Sequence, residues 1–576
     1  MNVFGSIANA ILFRGASGIG GAVKRGYRKK GAAGRRVSEK TLNAILRSGR
    51  GTEYGKKIGL DKVQSVEDYQ RLVPLSTYED YRSYVDRMVE LGEQNLLTRK
   101  RVRYLAQTSG TVSKLKLIPQ TSASYVPYIK ETCILANDLS HAERRRGVSG
   151  VPCRGLLLTE VNISKTSGKT ADVRGIRTGY ISAYAVGGLK TFLPMFTCLP
   201  KDVIGKPEIR DQKYIKARYA LQEPDLVFFG GVFMSALVDI MSYIEEKREM
   251  LIRDIETGTI DPSVDMPDGI RRRLEKKLRP DPARAAELRA VFDAPGDGPI
   301  IPRIWKNMSL IASVGTGDFT PFTEKMRGMA GDVEIGFLMY AASECVFGAA
   351  METEQPQYLL LPDAGFFEFL PVDENGETDD SARPLLMHEL AVGGLYEIIV
   401  TNRAGLYRYR IKDVVRVTGF EGEIPYVCFA YRREQVINMA GSHFTGEFIE
   451  QIVENFSEAI GVPLRDHSIY ADYEDRKGRI VLYIEPDGEI PPDRASRLDD
   501  ILEEEMIKVN VLYGMHRQEE SINHCVVRRV APGTYEHYRD MRIAQGMSVN
   551  QLKAVRYITT QEQYDFFTAA VIDNNA

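Results

Sequence analysis

The sequence predicts an α/β protein with a large N-terminal mixed α/β domain and a smaller, mobile C-terminal α+β domain. With 576 residues, the chain is longer than one hydrophobic core normally supports. Between Arg154 and Phe233, short apolar runs alternate with glycines and helix-like stretches, a pattern typical of mixed α/β layers. After Arg432 the pattern changes to short strands and amphipathic helices. The boundaries that we expect are a basic N-terminal arm over 1–36, a large domain over 37–432 and a small lid domain over 433–576.

Composition excludes some classes of function. Hydrophobic residues at 43% and charged residues at 27% are ordinary globular values, and a formal net charge of -2 does not favour nucleic acid as a partner. The six cysteines form no CxxC pair, which predicts a reducing compartment and no structural zinc. Residues 1–13 are apolar but too short to cross a bilayer. We therefore expect a cytoplasmic protein without stable membrane insertion.

The N-terminal segment has an unusual charge pattern. Residues 14–36 contain eight lysines and arginines and no acidic residue. Such a segment either favours an anionic surface or forms a solvated, partly disordered arm. The glycines of Gly15 to Gly21 do not follow a strand and do not match a dinucleotide-binding spacing, so we expect a flexible link there.

A strand, a loop and a second strand are predicted around residues 101–119. Apolar and polar residues alternate before Thr108, and the second apolar segment stops at Pro119. The loop between them reads TSGTVSKLK; its glycine allows close backbone approach, and its hydroxyls and lysines suit phosphate oxygens. An ordinary solvated hairpin is the alternative interpretation.

Two further stretches place carboxylates next to apolar strands. Glu344 ends the segment YAASE, where it either caps a helix or holds a magnesium ion beside a triphosphate. Asp413 follows a run in which tyrosines alternate with Arg408, Arg410 and Lys412. That carboxylate either pairs with a neighbouring cation or accepts hydrogen bonds from a ribose.

The C-terminal part begins at a candidate hinge, residues 432–435. A strand is expected over 436–440, and apolar residues at helical spacing predict a helix that ends at Gly461. Two strands over 468–473 and 479–484 and a further helix complete the predicted domain.

Together these stretches resemble one family, the acyl-acid amido synthetases, the auxin-responsive family of plants and its bacterial relatives, within the acyl-adenylate-forming enzymes. TSGTVSKLKLIP (108–119), YAASE (340–344) and YRYRIKDVVRVTGF (407–420) are similar to the family's three nucleotide motifs, and SVNQLKAVR (548–556) to its C-terminal lysine segment. The resemblance covers nearly the whole chain.

The resemblance also implies roles for individual residues. Glu344 would bind magnesium, Asp413 the ribose hydroxyls, and Lys553 would reach the α-phosphate and the substrate carboxylate, so that Lys553 and Glu344 are the expected catalytic residues. The remaining residues expected to bind ATP are Thr108, Ser109, Gly110, Thr111, Lys116, Tyr340, Ala341, Ser343, Arg432 and His443.

Two positions depart from the family pattern. Ser113 stands where many relatives have glycine in the first loop, which alters the close backbone approach. His443, in Gly441-Ser442-His443, stands where the family usually has a lysine. An imidazole has an unperturbed pKa of about 6.5 and is mostly neutral at pH 7, so a permanent positive charge is missing. His443 either contacts phosphate or has a structural role.

The resemblance implies that the protein uses ATP and Mg²⁺ to convert a carboxylic acid to an acyl-adenylate, with release of pyrophosphate. The acyl group then passes to an amine, expected to be an amino acid. An acyl-CoA ligase with the same first half-reaction and a catalytically dead binding protein of the same fold are the alternatives. Glu344, Asp413 and Lys553 argue against the dead protein, and His443 is the one argument for it.

Overall fold

The computed structural model of the protein describes most of the chain. The described residues are 3–107, 116–148, 152–158, 164–165, 176–187, 193–206, 208–294, 296, 298–373, 378–433, 437–439, 442–444, 446–473, 477–509, 513–514, 517, 522–545, 547 and 554–572.

Helices and β-sheets alternate in the large N-terminal domain, as predicted. Its helices are α1 (Val3–Lys30), α2 (Gly34–Gly49), α3 (Glu53–Lys57), α4 (Val66–Leu72), α5 (Glu79–Leu91), α6 (Ser122–Arg145), α7 (Ile181–Gly187), α8 (Leu193–Phe196), α9 (Gln212–Gln222), α10 (Met234–Glu246), α11 (Arg248–Thr257), α12 (Asp268–Glu275), α13 (Pro282–Asp293), α14 (Ile300–Ile304) and α15 (Thr320–Ala330). Its strands are β1 (Tyr104–Gln107), β2 (Leu117–Gln120), β3 (Gly155–Leu158), β4 (Ser164–Lys165), β5 (Arg177–Tyr180), β6 (Phe228–Phe233), β7 (Leu310–Val314), β8 (Glu334–Phe337), β9 (Tyr340–Ala341), β10 (Val346–Ala350), β11 (Tyr358–Leu360), β12 (Gly365–Pro371), β13 (Leu385–Leu386), β14 (Leu395–Asn402), β15 (Tyr409–Glu421) and β16 (Ile424–Arg432).

Three sheets organise the described part of this domain. A parallel sheet has the order β3-β6-β7-β8, and a smaller sheet has the order β2-β1-β5-β4. A long sheet with the order β13-β12-β14-β15-β16-β11-β10-β9 carries both later motifs. Parallel strands that are buried on both faces need continuous apolar sequence, which explains the runs LLL in β3 and LIASV in β7. The chain leaves the carboxyl end of β8 and enters β9, so the YAASE segment starts at the edge where open α/β sheets bind ligands.

The prediction of a flexible link at Gly15 to Gly21, in a partly disordered arm, is wrong. These residues lie inside α1, which packs along α6. A Cβ atom on Gly20 would lie 1.9 Å from the carbonyl oxygen of Cys133, so glycine here permits close contact of two helices. The helix ends next to the large core, in which Tyr27 is buried.

The smaller C-terminal domain has its own hydrophobic clusters, formed by residues from Ile437 onward. Its strands are β17 (Ile437–Met439), β18 (Ser442–Phe444), β19 (Leu464–Asp472), β20 (Arg479–Pro486) and β21 (Val526–Arg529), and its helices are α16 (Gly446–Ile460), α17 (Pro492–Ala495), α18 (Leu498–Val509), α19 (Thr534–Ala544) and α20 (Gln561–Ala569). Gly461 has φ 73° and ends α16, which confirms the predicted helix stop.

Charged contacts join the two domains. Arg539 in α19 forms an ion pair with Asp239 in α10 at 2.6 Å, and the side chains are 23% and 17% exposed. Lys213 in α9 lies 3.7 Å from Glu536, on the same face of α19. These contacts hold the C-terminal domain against α9 and α10 in this arrangement.

Candidate active site

The two strands predicted on either side of the first loop are present, and their ends contact the second motif. β1 and β2 pair antiparallel with Gln107 opposite Leu117, so the loop over 108–115 connects two ordered strands. Gln120 donates from its amide nitrogen to the carbonyl oxygen of Ser343 at 2.6 Å, and the Ser343 hydroxyl lies 3.4 Å from the carbonyl oxygen of Gln107. The ends of β1 and β2 and the YAASE segment are therefore held next to each other.

Glu344 lies at the tip of a tight hairpin between β9 and β10, where the N–H of Ala342 donates to the carbonyl oxygen of Cys345 at 2.9 Å. The helix-cap interpretation of Glu344 is wrong, because the residue connects two strands. Its backbone carbonyl accepts a hydrogen bond from the side-chain amide of Asn402 at 2.7 Å. The hairpin tip is thus fixed through backbone atoms.

A β-bulge in the third motif positions Asp413. Glu397 of β14 lies opposite Val414 and Ile399 lies opposite Arg410, so extra residues of β15 fit between these pairs. Lys412 adopts the left-handed conformation with φ 65°, which an L-residue other than glycine rarely does. Bulges change the direction of side chains next to functional sites. Asp413 is itself one of the extra residues of this bulge.

Asp413 is 3% exposed and forms the centre of a polar cluster. Its Oδ1 accepts hydrogen bonds from the guanidinium of Arg432, 2.7 Å from Nε, and its Oδ2 accepts one from the Tyr340 hydroxyl at 3.0 Å. The Asp413 charge raises the pKa of the Arg432 guanidinium, and burial raises the pKa of Tyr340 well above its usual value. Arg432 therefore stays charged and Tyr340 remains a donor at every accessible pH.

Two cations that precede Asp413 in sequence, Arg408 and Arg410, pair with other residues. Arg410 forms an ion pair with Glu397 at 2.7 Å, and Arg408 forms one with the buried Glu368 at 3.1 Å. The hypothesis that Asp413 pairs with Arg410 or Lys412 is therefore corrected: the partner is Arg432, directly opposite Asp413 on the neighbouring strand.

Glu344 shares the electrostatic environment of this cluster. Burial raises the pKa of the Glu344 carboxyl, and the Asp413 charge adds to that increase. The charges of Arg432 and Lys116 act in the opposite direction on the pKa of Glu344, so all four groups lie within interaction range. A half-buried carboxylate near cations and a second carboxylate has the hard oxygen donors that Mg²⁺ prefers.

Tyr340 lies mainly inside an aromatic cluster. Its ring is 8% exposed and packs against the rings of Phe347, Tyr358 and Phe429 at centroid distances of 4.9, 5.9 and 6.3 Å. Little of the ring surface remains for stacking, so its clearest contact is the hydrogen bond that orients Asp413.

Several predicted residues lie outside the described part of the chain. These are Thr108, Ser109, Gly110, Thr111, Ser113 and Lys553, together with Glu434 and Gln435 of the hinge. The backbone of His443 pairs with Asn438 across β17 and β18. The structure brings together Lys116, Tyr340, Ser343, Glu344, Asp413 and Arg432, and Ala341 lies exposed in β9 next to Tyr340.

Sequence reasoning missed two supporting residues, Gln120 and Asn402. Each side chain donates to a backbone carbonyl at the tip of the Glu344 hairpin. Asn402 also accepts hydrogen bonds from the N–H groups of Ala404 and Leu406, which form the turn that leads into β15. The only signal in the sequence is their position, since Gln120 ends β2 and Asn402 ends β14.

The fold defines the class of protein. It matches the structure of the GH3.15 acyl acid amido synthetase with a TM-score of 0.81 and 24% identity, covering 96% of both chains. The chain belongs to the GH3 family: the family's N-terminal domain matches residues 27–335, its central domain residues 358–432 and its C-terminal domain residues 447–562.

Curated relatives are similar over nearly their full length. The indole-3-acetic acid-amido synthetase GH3.8 of Oryza sativa subsp. indica is 27% identical over 94% of this chain and 91% of its own. The jasmonoyl--L-amino acid synthetase GH3.5 of Oryza sativa subsp. japonica is 28% identical over 91% of this chain and 92% of its own. These matches confirm the predicted family, the fold class and the class of enzyme, an amido synthetase.

Proposed function

We propose that this protein activates a small carboxylic acid with ATP and transfers the acyl group to the amino group of an amino acid. The observation that carries the proposal is the cluster of Lys116, Glu344, Asp413 and Arg432, which joins three separate motifs in one place. In the first half-reaction a carboxylate oxygen forms a bond to the α-phosphorus, and pyrophosphate leaves. In the second, the amine attacks the acyl carbon, an amide forms and AMP leaves.

The chain's own residues fit the needs of the first step. A carboxylate must approach a polyanion, so nearby cations must offset the repulsion between them. Lys116 and Arg432 supply positive charge in the described part, and Thr108, Ser109, Gly110 and Thr111 are proposed to hold phosphate oxygens. Magnesium, when bound to Glu344, would neutralise further negative charge on the phosphates.

Asp413 is proposed to accept a hydrogen bond from the ribose. An ionised carboxylate offers about four lone-pair directions, and Arg432 and Tyr340 already use three of them, since two Arg432 nitrogens lie 2.7 and 2.6 Å from Oδ1. One direction, on Oδ2, remains for a ribose hydroxyl. Ala341 and Ser343 are proposed to line the base site beside Tyr340.

The C-terminal domain is proposed to bring Lys553 to the α-phosphate, and His443 to take the position of the family's second lysine. Because Arg432 ends β16 and the next domain follows it, the predicted hinge lies directly beside the cluster. Closure of a domain over a reaction centre excludes water and completes the set of catalytic groups. We also propose that the enzyme works in the cytoplasm.

A pyrophosphate-release assay tests this proposal. A panel of carboxylic acids is supplied with ATP and Mg²⁺ and crossed with amino acids and with coenzyme A as acceptors. We expect acid-dependent pyrophosphate release and an amide product with an amino acid. A thioester as the only product would support the acyl-CoA ligase instead. A folded protein that binds ATP but releases no pyrophosphate with any acid would support the dead binding protein.

A further inference from the structure

Several polar side chains of the N-terminal helix α1 lie towards the protein. The side chain of Asn9 is fully buried and donates to the carbonyl oxygens of Cys153 and Met195 at 2.8 and 2.7 Å. Lys24, 9% exposed, forms an ion pair with Asp138 of α6. Ser17 is also buried on this side. Phe13 and Tyr27 also pack against the protein on this side, so the buried face of α1 mixes polar and apolar residues.

The opposite face of α1 exposes large apolar side chains to solvent. Ile7, Ile11 and Ile19 are 52%, 65% and 57% exposed, and Leu12 is 40% exposed. Their positions repeat at helical spacing, so they lie along one side of the helix. A Cβ atom on Gly15 or Gly18 would meet nothing within 4 Å, so the surface between the isoleucines is open. Contiguous exposed apolar side chains of this kind mark interaction surfaces.

Positive charge surrounds this apolar face. Residues 1–38 contain eight lysines and arginines and no acidic residue. Four of these cations pair with acids of the rest of the chain: Lys24, Arg28, Lys30 and Arg35. Among the residues that the structure describes, Arg14, Arg25, Lys29 and Arg36 are exposed and form no ion pair.

We propose that this face of α1, defined by Ile7, Ile11, Leu12, Ile19, Arg25 and Lys29, docks on the surface of an anionic phospholipid bilayer. Isoleucines and a leucine would enter the boundary between headgroups and acyl chains, and the arginines and lysine would contact phosphate groups. Within the described residues, no helix is long and apolar enough to cross a membrane. The helix would therefore lie along the surface while α6 holds its other side.

A second copy of the chain fits this face less well. Contact between two α1 helices could bury the isoleucines, but it would leave the exposed cations of both helices without an acidic partner on the facing helix, because this segment contains no acid. A bilayer that contains anionic lipid supplies both the apolar phase and the negative charge.

Co-sedimentation of the full-length protein with vesicles tests the proposal. Vesicles of phosphatidylcholine with phosphatidylserine are compared with vesicles of phosphatidylcholine alone, at low and high ionic strength. We expect binding to the anionic vesicles that weakens as salt increases. The double variant Arg25→Glu and Lys29→Glu should bind at least about 25-fold more weakly, since each surface cation contributes about fivefold. Ile11→Asp with Ile19→Asp should lose at least about tenfold.

Matched control variants lie on other surfaces of the large domain. Val392→Asp replaces an apolar residue that is 63% exposed, and Arg272→Glu reverses an exposed charge in α12. Both should bind anionic vesicles as the native protein does. Equal binding to neutral and anionic vesicles, or the same loss in controls and α1 variants, would overturn the proposal. Concentration-dependent dimerisation that Ile11→Asp abolishes, without vesicle binding, would instead assign the face to a second copy.

Discussion

Replacement of Asp413 by asparagine separates the structural role of this carboxylate from its proposed role in ATP binding. The variant keeps the size of the side chain and removes its charge. The guanidinium of Arg432 would then lose its ionised partner, and Tyr340 would donate to a neutral amide group. We expect both the stability of the protein and its affinity for ATP to fall.

The loss of stability follows from the burial of the pair. Breaking a fully buried ion pair costs about 3–5 kcal/mol and breaking an exposed one costs about 0–1 kcal/mol. The Asp413 side chain is 4% exposed but that of Arg432 is 35% exposed, so the cost lies between these limits. We expect Asp413→Asn to lower the free energy of unfolding by about 2 kcal/mol.

The loss of ATP affinity follows from the single free lone-pair direction on the carboxylate. One hydrogen bond to a charged group contributes about 1.5–3 kcal/mol, which corresponds to about a 10- to 100-fold weaker Kd for ATP. Urea unfolding measures the stability, and calorimetric titration measures the Kd. Asp380→Asn is the matched control: Asp380 pairs with Arg410 at 2.8 Å but its side chain is 64% exposed.

We expect Asp380→Asn to change the free energy of unfolding by less than about 1 kcal/mol and to leave ATP binding intact. If Asp413→Asn lost stability and still bound ATP with the native Kd, the carboxylate would serve only to hold Arg432. The ribose assignment would then be refuted.

Four further predictions follow from other residues. Burial raises the pKa of Glu344, so protonation should weaken its binding of Mg²⁺ as the pH falls through that raised pKa. The Mg²⁺ concentration that gives half-maximal pyrophosphate release should therefore rise. If this concentration depended on pH in the same way in Glu344→Gln, the metal role of Glu344 would be contradicted. Burial raises the pKa of Glu131 to about 8. The free energy of unfolding should therefore be greatest below the pKa that Glu131 has in the unfolded chain, and it should fall by up to about 1.4 kcal/mol per pH unit as the pH rises to about 8. Urea unfolding of Glu131→Gln at several pH values should lack this decline. Arg539→Asp should weaken the contact between the domains and increase proteolysis at the hinge. Adding Asp239→Arg should restore the ion pair and reverse that increase. If the double variant were cleaved as fast as the single variant, the ion pair would not be the interaction that holds the domains together. Lys553→Ala should slow adenylation about 10²- to 10³-fold but affect aminolysis of a supplied acyl-adenylate much less; equal losses in single-turnover rates of both halves would refute its proposed position.

Much of the fold could be predicted because local patterns determine local structure. The alternation before Thr108 predicted β1, the helical spacing after residue 446 predicted α16, and Gly461 ended that helix as expected. The three motifs could also be recognised in order, since a glycine-containing loop and carboxylates next to apolar strand residues have their own chemistry. These features depend on residues that are close together in the sequence.

The tertiary structure decided which distant groups meet. Arg408, Arg410 and Lys412 come shortly before Asp413, yet the partner of Asp413 is Arg432. The register of β15 and β16 places Asp413 opposite Arg432. Arg408 and Arg410 form ion pairs with buried glutamates instead. The sequence contains the charges but not the register that pairs them.

The same reason explains the error at the N-terminus. Glycines disfavour a helix by about 1 kcal/mol each, so Gly15 to Gly21 suggested a link. Packing against α6 reverses that preference, because only a residue without a side chain fits beside the Cys133 carbonyl group at Gly20. Sequence alone determined the composition of this segment, its positive charge and its missing acids. Only the packing of α1 decided that Asn9, Ser17 and Lys24 are buried and that its isoleucines face the solvent.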